Sequence, residues 1–245
     1  MKRSWFAAGA FALAGMQPVM ASAQSADADV ALVLAVDVSG SVDEGRFKLQ
    51  REGIAASLES EAFAAALSGG IHQTVEIAVV EWAEEQQTIL PWTILHRRDD
   101  ISAAANQLRG APRSSVHVLT DPAGGIAAAD RLLASVPLPA GRKVIDVSGD
   151  GKQNSGEVPT ASARDAAVSH GVTVNGLPIT SGDEPHVDEW YRANIIGGPG
   201  AFLVVADGHQ AFADAFRQKL TLEVAGVAMG PTLAAAYGRK LFYVP

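Results

Sequence analysis

The chain has no cysteine among its 245 residues. That rules out disulfides, an Fe–S cluster and a thiolate metal site, so stability must come from the core or from a bound ion. It also removes the anchor cysteine of a lipoprotein. Aromatic residues make up only 6% of the chain, and Lys and Arg (19) are outnumbered by Asp and Glu (27). A formal charge of −8 repels nucleic acid and anionic lipid headgroups, and leaves cations and basic or metal-bridged partners as the expected ligands. No apolar run reaches the roughly 20 residues that a membrane-spanning helix needs, so no membrane insertion is expected.

The longest candidate for such a run is near the start. Lys2 and Arg3 precede an apolar stretch from Trp5 to Met16, followed by the small-residue end Ala21-Ser22-Ala23. This is the pattern of a cleaved secretory signal peptide over residues 1–23, and it predicts a periplasmic or secreted protein. Removing 23 of the 245 residues leaves 222, and losing Lys2 and Arg3 takes the charge to −10. A chain of that size suits one α/β domain over residues 24–245, with a core at about 29–225 and a tail from 226 to 245.

Val30 to Val36 (VALVLAV) is a continuous apolar run of strand length, the signature of a strand buried on both faces. Glu44 to Leu67 carries Phe47, Ile54 and Leu58 at helical spacing and predicts one helix. Val75–Trp82 and Thr88–Trp92 predict an antiparallel pair across the acidic turn Ala83-Glu84-Glu85-Gln86, with Pro91 on an edge. Helical patterns follow at Asp99–Leu108 and Gly124–Ala134, the second opened by an Asp121 N-cap and Pro122. Further strands are predicted at Lys143–Val147, Val172–Leu177 and Ala201–Val205, and further helices at Ala161–His170, Val187–Ala193 and Gln210–Val224. This alternation predicts a doubly wound α/β fold: a mostly parallel central sheet with one antiparallel edge strand and helices on both faces.

The stretch VIDVSGDGKQNSGE bears two readings. Counted from Asp146 it nearly spells a calcium loop, but a strand precedes it where a helix is required, and Gln153 takes the usual aliphatic position. Counted from Asp150, it is a strand whose loop carries one carboxylate. The first strand ends comparably, in AVDVSGSVDE, where Asp37, Ser39 and Ser41 alternate in a loop leaving the carboxyl edge, the edge at which ligands gather in open α/β sheets. A third loop at that edge offers Thr120, with Ser114 or Ser115 as the alternative donor. Asp146 reads as a structural carboxylate within its strand. Glu81 reads as part of a solvated turn, and the cluster Asp183, Glu184, His186, Asp188, Glu189 as exposed charge. The six histidines show no zinc-helix spacing.

Asp37-x-Ser39-x-Ser41, Thr120 and Asp150 resemble the five residues of a metal-ion-dependent adhesion site, and from Val30 to Val224 the chain resembles the von Willebrand factor A (vWA) domain family. VVEWAEEQQTILPW, VIDVSGDG and NIIGGPGAFLVV followed by FRQKLTLEVAG are similar, more narrowly, to a bacterial secreted family of vWA-like domains of unknown function. The resemblance implies direct metal bonds from Ser39 and Ser41, a direct or water-mediated bond from Thr120, and mainly water-mediated ones from Asp37 and Asp150. It implies Mg2+, with Mn2+ or Ca2+ as substitutes, and a protein partner that offers Asp or Glu to the open coordination position. An exported metal-dependent phosphatase or hydrolase and a metal-free scaffold are the rival readings. Neither a nucleophile elbow nor a P-loop is present, and the second Asp that aspartyl phosphatases need is Ser39 here.

Overall fold

The computed structural model describes residues 1, 27–114, 118–226 and 241–243. The apolar run becomes β1 (Val30–Asp37), whose eight residues are all buried. It lies between two parallel neighbours, β2 (Val75–Trp82) and β4 (Lys143–Gly149), and its side chains alternate between two cores on opposite faces of the sheet. Beyond β2 lies β3 (Gln86–Leu95), antiparallel and on the sheet's edge, where Pro91 is exposed and costs no ladder bond. On the other side come β5 (Val172–Thr180), β6 (Phe202–Val204) and β8 (Leu241–Tyr243), and the two-residue β7 (Ala206–Asp207) also pairs with β5. The order β3-β2-β1-β4-β5-β6-β8 reverses direction between β1 and β4.

Two differences from the predicted architecture have clear causes. The expected helix over 44–67 is two helices, α1 (Glu44–Leu58) and α2 (Glu61–Ser68). Ser60 breaks it: its backbone is extended, its hydroxyl accepts from Phe63 N at 3.1 Å as the N-cap of α2, and donates to Ser57 O at 2.7 Å. The tail supplies a second antiparallel edge, since Leu241–Tyr243 runs antiparallel to β6. Residues 227–240, and residues 2–23 where the signal peptide is expected, lie outside the described residues.

Helices cover both faces. One core joins β-strand side chains to α1, α2, α3 (Arg98–Gly110) and α7 (Phe212–Ala225); the other joins them to α4 (Pro122–Leu133), α5 (Thr160–Ser169) and α6 (Val187–Asn194). The start of α4 is as the sequence predicts, with Pro122 at the first turn and Asp121 Oδ1 accepting from Gly124 N at 3.1 Å. Within the described residues no helix is long and apolar enough to cross a membrane.

Two buried ion pairs span the layers. Asp146, in the middle of β4, meets Lys219 of α7 at 2.5 Å, and Lys219 in turn meets Glu223 at 2.6 Å. Asp146 is therefore a structural carboxylate, as its place in the strand suggests. Glu81 is not a solvated turn residue: it is buried at the end of β2, paired with Arg51 of α1, and accepts from Ser114 N at 2.9 Å. Its partner lies 30 positions away on another element, so nothing local marks the pairing.

Candidate metal centre

The strand reversal brings the carboxyl ends of β1 and β4 side by side and lets the loops above them diverge, leaving a crevice. Asp37 closes β1 and Asp150 follows β4, so each wall of the crevice carries one carboxylate. Both are buried, with 0% and 3% of their surface exposed.

The loop after β1 is folded by its own alternation. Ser39 N donates to Asp37 Oδ1 at 2.8 Å, turning the chain back at once. Val38 and Val42 then pack on Phe47, while Ser39 and Ser41 take the opposite side. Arg113 lies over the Phe47 ring and donates to the carbonyls of Val38 and Val42 at 2.9 and 2.7 Å, clamping the loop from behind.

The hydroxyls converge. Ser39 Oγ lies 3.4 Å from Ser41 Oγ and 3.4 Å from Thr120 Oγ1, and Ser41 Oγ donates to Asp150 Oδ1 at 2.5 Å. Thr120 is brought in by the loop after β4: its amide donates to Asn154 Oδ1 at 2.7 Å, and its carbonyl accepts from the amides of Asn154 and Ser155. Gly40 N donates to Val118 O at 3.2 Å, which fastens the first loop to the third. The structure thus brings together Asp37, Ser39, Ser41, Thr120 and Asp150. Of the alternative donors, Ser114 has its amide on Glu81, and Ser115 lies outside the described residues.

The electrostatics of the two carboxylates differ. Burial, then the charge of Asp150, push Asp37 up to about 7 despite the hydrogen bonds from Ser39, and Asp37 Oδ2 has no hydrogen-bond partner among the described residues. Burial also acts against ionised Asp150, yet hydrogen bonds from His209 and Ser41 prevail and hold it below the usual carboxylate range. His209 Nε2 lies 3.1 Å from Asp150 Oδ2, and Arg46, which also donates to Ser41 O at 2.6 Å, stands 3.8 Å from it. No local pattern marks His209: a short 3-10 turn (His209–Ala211) ahead of α7 carries it back to the crevice from 59 positions away.

This donor set fits a small hard dication. Neighbouring oxygens around an octahedral Mg2+ stand about 3 Å apart, close to the 3.4 Å between these hydroxyls. A cation there would also neutralise a buried carboxylate oxygen that lacks a partner. Among the described residues no group of three or more His, Asp or Glu is placed to hold a metal, so ligation at this point depends on the hydroxyls. Above them opens a cleft of about 500 Å³ whose walls include Arg46, Val118, Lys152, Asp183 and Glu184. Asp183 is exposed, as the sequence predicts, whereas Glu184 is half-buried and pairs with Lys152 at 2.9 Å.

Residues 27–228 match the model of a family described as "Protein of unknown function (DUF1194)". The chain belongs to the DUF1194 family. Its fold is that of the vWA domain. A von Willebrand factor type A protein from Catenulispora acidiphila is 21% identical, with a TM-score of 0.58 over 81% of this chain and 43% of that one. The pilus adhesin SpaC from Lactobacillus rhamnosus GG is 18% identical, with a TM-score of 0.58 over 81% of this chain and 30% of SpaC. Proximal thread matrix protein 1 from the mussel byssus, in a structure described as having a zinc-occupied MIDAS motif, is 17% identical, with a TM-score of 0.55 over 81% and 48%. This DUF1194 chain thus spans less than half the length of each of these proteins. No curated protein matches it.

Proposed function

We propose that this protein is an exported vWA domain that holds a divalent cation, Mg2+ by preference, at Asp37, Ser39, Ser41, Thr120 and Asp150, and through it binds an acidic group of a protein partner. The observation that carries this reading is the convergence of three hydroxyls from two loops between two buried carboxylates. Ser39, Ser41 and Thr120 would hold the ion, with Asp37 and Asp150 balancing its charge. The ion supplies an electrophilic coordination position that a partner's Asp or Glu completes. Neutral hydroxyl donors withdraw little of that electrophilicity, which favours capture of a carboxylate. The fold it shares with a pilus adhesin and a byssus protein supports an adhesive role outside the cytoplasm, as does the signal-peptide pattern of residues 1–23.

A binding role fits the site better than hydrolysis. Among the described residues the imidazole nearest the cup, His209, has its Nε2 on Asp150 and only 9% of its side chain exposed. A general base must reach the proton it removes in the open cleft. Millimolar Mg2+ should raise the melting temperature of the purified protein, EDTA should reverse the rise and Asp37→Ala should abolish it. Capture of a partner from periplasmic extract should likewise be lost with EDTA. Identical melting curves with Mg2+ and EDTA would favour the metal-free scaffold, and release of phosphate from an ester panel, lost in Asp37→Asn, would favour the phosphatase.

A further inference from the structure

Beneath the hydroxyl cup, a second group of polar atoms has no hydrogen-bond partner among the described residues. Asp37 Oδ2 and Tyr191 Oη are both buried there. Asp37 and Trp82 are register partners across β1 and β2, and Gly149 flanks Asp37 on the β4 side. Tyr191 rises from α6 against that glycine. A Cβ on Gly149 would lie 2.7 Å from Asp37 Oδ2 and 2.8 Å from Tyr191 Oη. The two oxygens therefore border one small space and are within reach of a single bridging water.

Tyr191 is fully buried in the core of this face, where a phenylalanine would fill the same volume without placing a hydroxyl among apolar side chains. A phenol carries an O–H donor and is neutral at physiological pH, so this hydroxyl can donate to a carboxylate. Asp37 Oδ1 is already fixed by the Ser39 amide. Oδ2 has no such partner among the described residues.

We propose that Tyr191 is a positioning residue of the metal centre, donating through one bridging water to Asp37 Oδ2 and so holding that carboxylate toward the Ser39, Ser41 and Thr120 hydroxyls. This rests on the metal-site reading above. Supporting partners of this kind orient groups around a metal, and their loss weakens metal affinity while the ligands stay in place.

The test compares wild type with Tyr191→Phe in the purified protein by three measurements: Mg2+ titration by calorimetry, metal-free melting temperature, and the ultraviolet difference spectrum on adding Mg2+. The chain has only three tyrosines, so a perturbed phenol is assignable. Tyr191→Phe should raise the Mg2+ dissociation constant roughly tenfold, leave the metal-free melting temperature equal or higher, and erase the tyrosine difference signal. Equal Mg2+ affinity in the two proteins overturns the proposal, as does a loss of affinity accompanied by a lower metal-free melting temperature. If wild type itself takes up no Mg2+, the metal site fails, and that outcome is distinct from the other two.

Discussion

A methyl group on Gly149 would enter the space shared by Asp37 Oδ2 and Tyr191 Oη, and either can give way only by disturbing its packed neighbours, because both belong to buried side chains. Gly149→Ala should therefore cost about 1–3 kcal/mol as an overpacked core position, read as a shift in the denaturation midpoint. It should also diminish the Mg2+-induced rise in melting temperature, because the shift displaces Asp37. A stability loss with the Mg2+ response intact would mean that this glycine serves packing alone. The need for glycine here illustrates what single residues reveal in a sequence. Asp37, Ser39 and Ser41 were legible because their contacts are local: Ser39 N on Asp37 Oδ1 spans two positions. Tyr191, His209 and Glu81 were not, because each has its meaning through a residue at least 30 positions away. Glu81 misled because an acidic turn follows it, while the arginine that pairs with it sits inside α1.

At the level of elements, strands were easier to place than helix ends. β2 has the limits predicted for it and β1 runs one residue past its apolar stretch, to Asp37, because every residue of both strands is buried. The helix expected over 44–67 failed because apolar spacing continues through its break: Leu58, Phe63 and Leu67 all reach the same core from two helices. The cue lay in Ser60, whose side chain competes with the helical backbone by capping the amide of Phe63. Ser60→Ala should thus destabilise the fold by about 1 kcal/mol, measured by chemical denaturation, without changing the Mg2+ response. A neutral or stabilising effect would show that packing of Phe63 and Leu67 alone fixes the break. The same logic explains why Asp121 and Pro122 were read correctly, since cap and first-turn proline are adjacent in sequence.

Across the whole molecule, the two faces of the sheet divide the chemistry. Asp37 and Tyr191 share the side covered by α4, α5 and α6, whereas Asp146, Lys219, Glu223 and Asn175 form a buried cluster under α7 on the other. In that cluster a single ammonium serves two carboxylates. Burial first, then the neighbouring charge of Asp146, push Glu223 up to about 7 against the pull of Lys219 and Asn175. Its folded-state value thus lies above the 4.5 of an ordinary glutamate. Below about pH 4.5 the group is protonated in both states and burying it carries no ionisation cost. As pH rises toward 7 the unfolded chain releases a proton that the folded one retains, and stability falls by up to about 1.4 kcal/mol per pH unit. Above 7 the loss is complete. Arg142, donating to the Glu223 carbonyl at 2.7 Å, moderates this effect without meeting the carboxylate. Glu223→Gln keeps the shape and the bond to Asn175 but cannot ionise. The variant's melting temperature relative to wild type should accordingly climb by several degrees between pH 5 and pH 8, at about 2–4 °C per kcal/mol for a chain of this size. A difference that stays constant across that range would mean that Glu223 is ionised throughout and that Lys219 serves both carboxylates equally.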